Sequence, residues 1–360
     1  MDIIGKADEI IKRKPLTITD HPCPMSNGTI HDYYSNGSYW WPNPDTSDHL
    51  PYIRRDGLLN PENFVEHKNL ILRLSLDASV LYRAWKMTGE GKYASMLVRD
   101  LVSFFVDEKT RMNPSLRYSQ AIPGVCEGRS IGLIDTLQLI DIPVLALDLR
   151  KEGAIDESAY SGLSRWFSEY SQWLIESDFG KTESQERNNH SVTYYAELAS
   201  FSLLSERRDE IHASIRKAFK ERLIRQMGED GLFPEELRRT RAFGYSMFVV
   251  DNLAAVATLA SRKDDNLWTY NGLMGKAVDA MLPYVLDKAS WPFGEDVEMW
   301  DTMPSKSTYL YLASYALGDP RYMDAYSNLK DPDYGRPAEA RHIPIKTPEA
   351  YLPFLASLSH

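Results

Sequence analysis

Apolar residues recur with helical spacing over most of the chain from Glu66 onward. Their i, i+3, i+4, i+7 rhythm is that of one buried helix face, whereas the two-residue period of a β-strand is hard to find. We therefore predict an all-α body. The predicted helices cover LILRLSLDASVLYRAWKM, YASMLVRDLVSFFV, IGLIDTLQLIDIPVLALDL, LSRWFSEYSQWLIES, HSVTYYAELASFSLLS, HASIRKAFKERLIRQM, MFVVDNLAAVATLAS and TYLYLASYALG.

A faint internal repeat indicates how the helices are arranged. AWKMTGEGKYASML and SYALGDPRYMDAY each end a helix at a glycine, Gly89 or Gly318, and place a tyrosine four residues later, Tyr93 or Tyr322. Glycine closes a helix because it tolerates a positive φ. Recurring αα-hairpins predict an incomplete α/α toroid, a barrel of paired inner and outer helices around a cleft, with an open α-solenoid as the alternative.

The N-terminal part has a different composition. Residues 21–64 are rich in Pro, Gly, Asn and Asp and show no helical period. We predict one domain over residues 1–360, with 21–64 as a loop-rich segment over the cleft. Loop aromatics either stack on sugar rings or anchor the loop on the helices; here they are Tyr33, Tyr34, Tyr39, Trp40 and Trp41.

Composition and charge exclude several classes of protein. The 360 residues are 43% hydrophobic and 26% charged, which is typical of a folded globular chain, and no run of eighteen apolar residues predicts a membrane span. A formal net charge of −10 is unfavourable for binding nucleic acid. Two cysteines, Cys23 and Cys126, are too few for a disulfide scaffold or a thiolate metal site, which leaves a single bridge open.

The first twenty residues include acidic side chains and lack the apolar run of a signal peptide. We therefore expect a cytoplasmic protein, or a periplasmic or secreted one if a leader was removed ahead of Met1. The sequence does not predict an oligomeric state.

Three segments concentrate polar groups where a helical protein usually buries hydrocarbon: ERNNHSVTYY, GLFPEELRRTRAFGYSMFVV and RYSQAIPGVCEGRSIGLIDT. In the second, Arg238 lies seven residues and Arg241 four residues before Tyr245, spacings that bring the groups to one face of a helix or helix-entry turn. Guanidinium groups beside a tyrosine favour its phenolate. Candidate ligand-binding groups in the third segment are Gln120 and Arg129, with Asp135 close behind.

This set suits β-elimination from a uronic acid. The C5 proton of a uronate is weakly acidic while the neighbouring carboxylate keeps its charge, so an enzyme must supply hydrogen bonds as the enolate forms. Asn189, His190 and Arg238 are candidates for that role. Tyr245 is then the candidate to remove the C5 proton and return one to O4.

Several motifs together resemble the alginate lyase superfamily of polysaccharide lyases, from about Ile30 to beyond Tyr322. They are DYYSNGSYWWPNP, PYIRRDG, NNH and ELRRTRAFGY. The compact chain looks most like polysaccharide lyase family 38, which cleaves glucuronan or polymannuronate. The resemblance implies an incomplete α/α toroid and an acidic polysaccharide or oligosaccharide substrate, and it places the catalytic Asn, His, Arg and Tyr on Asn189, His190, Arg238 and Tyr245.

The chain departs from the family pattern at two points. Ser246 and Met247 follow the tyrosine where classical alginate lyases have His-Asn. Arg238 and Arg239 are adjacent, so a shift of one residue exchanges them. In D-mannuronate and D-glucuronate the C5 proton and O4 lie on one ring face, so one tyrosine can act as base and then acid. In guluronate His190 would be the base on the opposite face.

We expect a wider set of polar and aromatic side chains to bind the substrate, with the loop closing over the sugar chain. These residues are Tyr39, Trp40, Trp41, Arg54, Arg55, Gln120, Arg129, Asn188, Arg239 and Arg241. They would supply local positive charge and stacking faces in an acidic protein.

Two other functions remain as alternatives. A glycoside hydrolase would use a carboxylate pair drawn from Asp135, Glu235, Glu236, Glu295, Asp296 and Glu298. A non-catalytic uronate-binding protein would need no proton-transfer group. No cofactor or metal is expected. The histidines lack the spacing of metal ligands, and GEDVEMWD, from Gly294, is more typical of an acidic turn than of a calcium site.

Overall fold

The computed structural model describes residues 2–55, 58–331, 341 and 343–358. This part of the chain forms two compact units, which divide after Glu183. Each unit is built mainly of helices, as the apolar periodicity predicts. The single domain over residues 1–360 stays a prediction.

The first unit contains six of the labelled helices and four short strands. The helices are α1 (Ile3–Ile10), α2 (Glu66–Thr88), α3 (Gly91–Phe105), α4 (Asp141–Lys151), α5 (Glu157–Glu176) and α6 (Asp178–Glu183). The strands are β1 (Tyr34–Asn36), β2 (Trp40–Trp41), β3 (Ile53–Arg54) and β4 (Tyr118–Ala121). β1 pairs in parallel with β4, and β2 pairs antiparallel with β3.

The second unit contains the remaining labelled helices. They are α7 (Asn189–Phe201), α8 (Arg208–Ala218), α9 (Pro234–Leu237), α10 (Ala242–Ala260), α11 (Leu273–Leu286), α12 (Thr308–Leu317), α13 (Pro320–Asn328) and α14 (Leu352–Ala356). α10 is buried along almost its whole length and packs against α7, α11 and α12. It is the central helix of this unit.

The two predicted glycine turns are confirmed. Gly89 ends α2 with φ 72° and Gly318 ends α12 with φ 69°, the left-handed conformation that glycine adopts without a steric penalty. Tyr93 and Tyr322 follow in the next helices and are buried. Each glycine therefore joins two helices that pack on each other, α2 with α3 and α12 with α13.

Two predicted helices have mixed geometry. The stretch that begins at Ile131 forms a 3₁₀ helix, Ser130–Leu139, before α4, and α8 continues into a π-helical turn, Phe219–Leu223. Ser130–Lys151 and Ala242–Ala260 are long and apolar enough to cross a membrane by length and composition. Most of each is buried inside the protein, as in core helices of globular proteins.

The described part of segment 21–64 contains short strands and turns but no α-helix, as predicted; residues 56 and 57 lie outside the description. Tyr33 and Tyr34 are buried, so these two aromatics anchor the segment on its own unit. Tyr39, Trp40 and Trp41 keep part of their surface exposed. Only the latter three are placed to stack on a ligand.

A buried carboxylate joins α10 to α12. Asp251 is 1% exposed and accepts hydrogen bonds from the Tyr309 N–H at 2.7 Å and the Thr308 hydroxyl at 3.0 Å. It thereby caps the first turn of α12, whose preceding Ser307 makes no side-chain cap. Burial raises the pKa of Asp251 to about 7, although these hydrogen bonds oppose the shift.

This raised pKa predicts a pH-dependent stability. Between the unfolded pKa, near 4, and about 7, the native state binds the proton more tightly, so the free energy of unfolding falls as pH rises through this window. The contribution is on the order of 4 kcal/mol. Urea unfolding from pH 4.5 to 8 should show this decline for the wild type and a smaller one for Asp251→Asn. Asp178→Asn, which changes a fully exposed carboxylate, serves as control. A wild-type-to-Asp251→Asn difference that is constant with pH would contradict the assignment.

Candidate functional site

The N-terminus of α7 carries the predicted Asn-His pair. Asn188 is the N-cap, and its side-chain oxygen accepts the N–H of His190 at 2.9 Å. Asn188 and His190 are half-buried, whereas Asn189 is fully buried. The two neighbours of Asn189 therefore present surface to a ligand, and Asn189 itself faces the interior.

Glu236, in α9, fixes Asn189. Its carboxylate accepts the backbone N–H of Asn189 at 2.6 Å and the side-chain Nδ2–H at 2.8 Å. Burial raises the pKa of Glu236, while the hydrogen bonds from Asn189 and the charges of Arg239 and His190 lower it. Glu236 is thus the common neighbour of three predicted site residues. From the sequence, Glu236 was a candidate only for the carboxylate pair of a hydrolase.

The two adjacent arginines have different surroundings, and it is Arg239 rather than Arg238 that contacts Tyr245. Arg238 has a side chain that is 71% exposed and pairs with Glu235 on the surface. Arg239 instead donates from Nη2 to the hydroxyl of Tyr245 at 3.2 Å, and its Cζ lies 4.2 Å from the centre of the tyrosine ring. The geometry therefore favours Arg239, not Arg238, as the partner of Tyr245.

Arg238 and Tyr245 do not lie on one continuous helix. α9 ends at Leu237 and α10 begins at Ala242, so a turn separates the two residues. Arg241 is the residue immediately before α10, and its carbonyl accepts the N–H of Tyr245 at 3.0 Å. Its guanidinium Cζ lies 5.9 Å from the Tyr245 ring.

A second buried carboxylate caps α10. Asp296 is 6% exposed and accepts the N–H of Phe243 at 2.9 Å and that of Gly244 at 2.8 Å. Burial raises the pKa of Asp296, and these two backbone hydrogen bonds oppose the shift. Arg241 makes no side-chain cap, so Asp296 supplies the acceptor from a residue more than fifty positions away. The first turn of the helix that carries Tyr245 is held in this way.

The acidic segment around Asp296 is the GEDVEMWD stretch of the sequence analysis. Within the described residues, no group of three His, Cys, Asp or Glu side chains is placed to hold a metal ion. Asp296 binds backbone amides and Glu298 approaches Arg241. These two carboxylates therefore organise the protein itself.

The first unit holds the predicted aromatic and arginine cluster. Trp40 and Trp41 pair with Arg54 and Ile53 in the β2–β3 ribbon. The guanidinium of Arg55 lies 4.9 Å from the Trp41 ring, and that of Arg129 lies 5.9 Å from the Trp40 ring. Such contacts keep the arginines beside the tryptophan faces.

Gln120 and Arg129 are joined in a hydrogen-bond network. Arg129 donates from Nε to the Gln120 carbonyl at 2.9 Å and from Nη2 to its side-chain oxygen at 3.3 Å. Gln120 has φ 53°, uncommon for a residue other than glycine, and its N–H is accepted by the Ser35 hydroxyl at 2.8 Å. Burial lowers the pKa of Arg129, and Arg54 lowers it further.

Asp135 is connected to this network through the Ser35 hydroxyl. Its carboxylate accepts hydrogen bonds from Ser35 at 2.6 Å and Tyr33 at 3.0 Å, and Lys68 lies 3.4 Å away. Asp135 is therefore a structural acceptor. A half-open cavity of about 470 Å³ also lies in this unit, beside Tyr34, and none of the predicted site residues lines it.

The predicted site residues thus fall into two groups. One group, in the second unit, contains Asn188, Asn189, His190, Arg239, Arg241 and Tyr245. The other, in the first unit, contains Tyr39, Trp40, Trp41, Arg54, Arg55, Gln120 and Arg129. Arg238 is directed to the surface of the second unit.

Sequence reasoning missed the structural roles of Glu236 and Asp296. Both were named only as acidic residues, and nothing local distinguishes them from surface carboxylates. The adjacent residue pairs Glu235–Glu236 and Glu295–Asp296 each contain one exposed and one buried member. Only the fold separates them.

The chain matches the family model described as alginate lyase over residues 17–291. Its structure is similar to that of an alginate lyase from Bacteroides ovatus, with 27% sequence identity, a TM-score of 0.78, and coverage of 94% of this chain and 91% of the other. No protein of curated function matches the sequence.

More distant structures share the fold. Alginate lyase A1-III from Sphingomonas species A1 has 14% identity and a TM-score of 0.59, with 96% of this chain and 95% of that chain covered. A variant of alginate lyase A1-III complexed with a tetrasaccharide gives the same identity and TM-score, with 96% and 94% coverage. The predicted fold class, an all-α toroid, is confirmed by these similarities. The family model spans about three quarters of the 360 residues, so the chain belongs to the alginate lyase family and is a polysaccharide lyase.

Proposed function

We propose that this lyase cleaves β-1,4-linked uronate chains, either glucuronan or mannuronate-rich alginate, by syn β-elimination. The product would carry a C4=C5 double bond at its new non-reducing end. The observation that carries the proposal is the contact of Arg239 with Tyr245, 3.2 Å between Nη2 and the hydroxyl oxygen. A related fold that binds a tetrasaccharide supports an oligosaccharide or polysaccharide substrate.

The first requirement of the reaction is to neutralise the uronate carboxylate. His190 and Arg239 are half-buried and border the same buried carboxylate, Glu236. We assign them to the substrate carboxylate, where their hydrogen bonds strengthen as the enolate gains charge. Asn189 lies behind them, fixed by Glu236 at the start of the helix that carries His190. Its predicted direct contact with the carboxylate requires the carboxamide to become accessible on binding.

The second requirement is proton transfer. Tyr245 is half-buried, and in its phenolate form it is the candidate to remove the C5 proton. The guanidinium of Arg239, 3.2 Å from the phenolic oxygen, stabilises that anion before the proton is taken up. Because C5–H and O4 share a face in mannuronate and glucuronate, the tyrosine hydroxyl formed in this way returns the proton to O4 as the C4–O4 bond breaks.

The aromatic and arginine cluster of the first unit is proposed to bind an acidic sugar chain. Trp40 and Trp41 offer partly exposed ring faces, and Arg54, Arg55 and Arg129 offer positive charge. In a protein with net charge −10, such local arginines are what makes a polyanion acceptable.

The reaction is tested by ultraviolet absorbance of the conjugated double bond. Absorbance should rise on polymannuronate or glucuronan, and less on polyguluronate or polygalacturonate. Tyr245→Phe should lower kcat by about 10²- to 10⁴-fold, the usual contribution of general acid–base catalysis. Tyr315→Phe, at an exposed tyrosine, should retain activity. Absence of an absorbance rise on all four polymers, or full activity in Tyr245→Phe, would overturn the proposal.

The two arginines give a matched pair of variants. Arg239→Ala should lower kcat/KM by about 10²- to 10³-fold, because it removes a donor from the reacting groups. Arg238→Ala should change it by less than about twofold, because exposed ion pairs contribute little. Steady-state kinetics on the preferred polymer, with circular dichroism to verify folding, distinguishes the two. The reverse order of effects would restore Arg238 as the catalytic arginine.

A further inference from the structure

The segment 294–299 is anchored on the turn that precedes Tyr245. Asp296 accepts two N–H groups of the first turn of α10, and the N–H of Val297 donates to the Thr240 carbonyl at 3.1 Å. These bonds fix the backbone on both sides of Asp296. The next two residues, Glu298 and Met299, are thereby brought to Arg241.

Arg241 is held from two directions by this segment. Its Nη2 donates to the Met299 sulfur at 3.1 Å, and its Nη1 lies 3.7 Å from a carboxylate oxygen of Glu298. Met299 has φ 65°, a strained conformation for a residue with a side chain, and this turns the chain at that point. The side chain of Arg241 is 12% exposed and that of Glu298 is 39% exposed.

The Arg241–Glu298 pair is loose. A distance of 3.7 Å exceeds that of a charge-assisted hydrogen bond, and the carboxylate is in contact with solvent. Water screens such a pair, so it contributes little. A uronate carboxylate that entered beside Tyr245 would meet a guanidinium whose ion pair with Glu298 is easily released to solvent, while the buried Asp296 stays at the start of α10.

We propose that Glu298 is an exchangeable counter-ion of Arg241 and that a uronate carboxylate of the substrate takes its place; this inference rests on the proposed function. Nη1 passes from Glu298 to the sugar while Met299 continues to hold Nη2. Glu298 is then a specificity-determining residue. A neutral sugar cannot replace the carboxylate of Glu298, so only a charged chain gains the ion pair with Arg241.

The exchange predicts an unusual gain on removing a charge. Glu298→Gln should lower KM for a mannuronate or glucuronate oligosaccharide by about two- to fivefold, the range expected for a weak ion pair, with kcat nearly unchanged. The dissociation constant of a uronate tetrasaccharide, measured by calorimetry, should fall by the same factor. Glu298→Asp, whose shorter side chain withdraws from Arg241, should lie between the two and serves if the glutamine variant folds poorly.

Two controls separate a specific exchange from a general loss of negative charge. Glu295→Gln makes the same charge change at an exposed residue of the same segment and should leave KM and the dissociation constant unchanged. In an Arg241→Gln background, Glu298→Gln should have no further effect. The inference is overturned if Glu298→Gln leaves or weakens binding, if Glu295→Gln improves it equally, or if the gain persists without Arg241.

The lyase reaction and the counter-ion role of Glu298 can be tested separately. If the wild type forms unsaturated products but Glu298→Gln brings no gain, the lyase site stands and the counter-ion role is wrong. If the wild type forms no unsaturated product yet Glu298→Gln tightens uronate binding through Arg241, the proposed reaction is wrong and the exchange stands. If the wild type forms no unsaturated product and the tetrasaccharide does not bind, both are wrong.

Discussion

The buried carboxylate of Glu236 is the constraint on which the site in the second unit depends. A carboxylate in the protein interior is unfavourable unless hydrogen bonds and positive charge compensate for lost hydration. Here both N–H groups of Asn189 and the nearby charges of Arg239 and His190 provide that compensation. The same residue thereby ties the start of α7 to the turn before α10. The groups proposed to bind and deprotonate the substrate come from these two places.

Asp296 is a second buried carboxylate held by backbone N–H groups, at the start of α10. It occupies the N-terminus of α10, where the helix dipole and unpaired N–H groups favour an anion. Tyr245 lies one turn into that helix, with Arg239 and Arg241 before it. Buried acids thus hold in place the elements that carry Arg239 and Arg241, which is how a chain of net charge −10 can offer local positive charge to a polyanion. The acids that suggested a hydrolase include these scaffold residues, and the family assignment decides for a lyase.

The sequence predicted most of the helices because their apolar period is strong, and it predicted the turns at Gly89 and Gly318 because glycine has a specific conformational reason to be there. It missed the short helices α1, α6 and α14, and it missed α11, which contains Pro283. The family motifs located the Asn-His pair and Tyr245. The choice between Arg238 and Arg239 depended on where α9 ends, and adjacent arginines give no local signal for that.

The contacts between residues far apart in the sequence could not be predicted from it. Asp296 and Gly244 are 52 residues apart, and Glu236 and Asn189 are 47 apart; only the packing of the second unit brings each pair together. The most direct test of the whole account is mass spectrometry of the oligosaccharides that the wild type releases from polymannuronate and glucuronan. Elimination predicts that every new non-reducing end is one water molecule lighter than the saturated sugar of the same length. Products of full saturated mass would show hydrolysis and contradict the account.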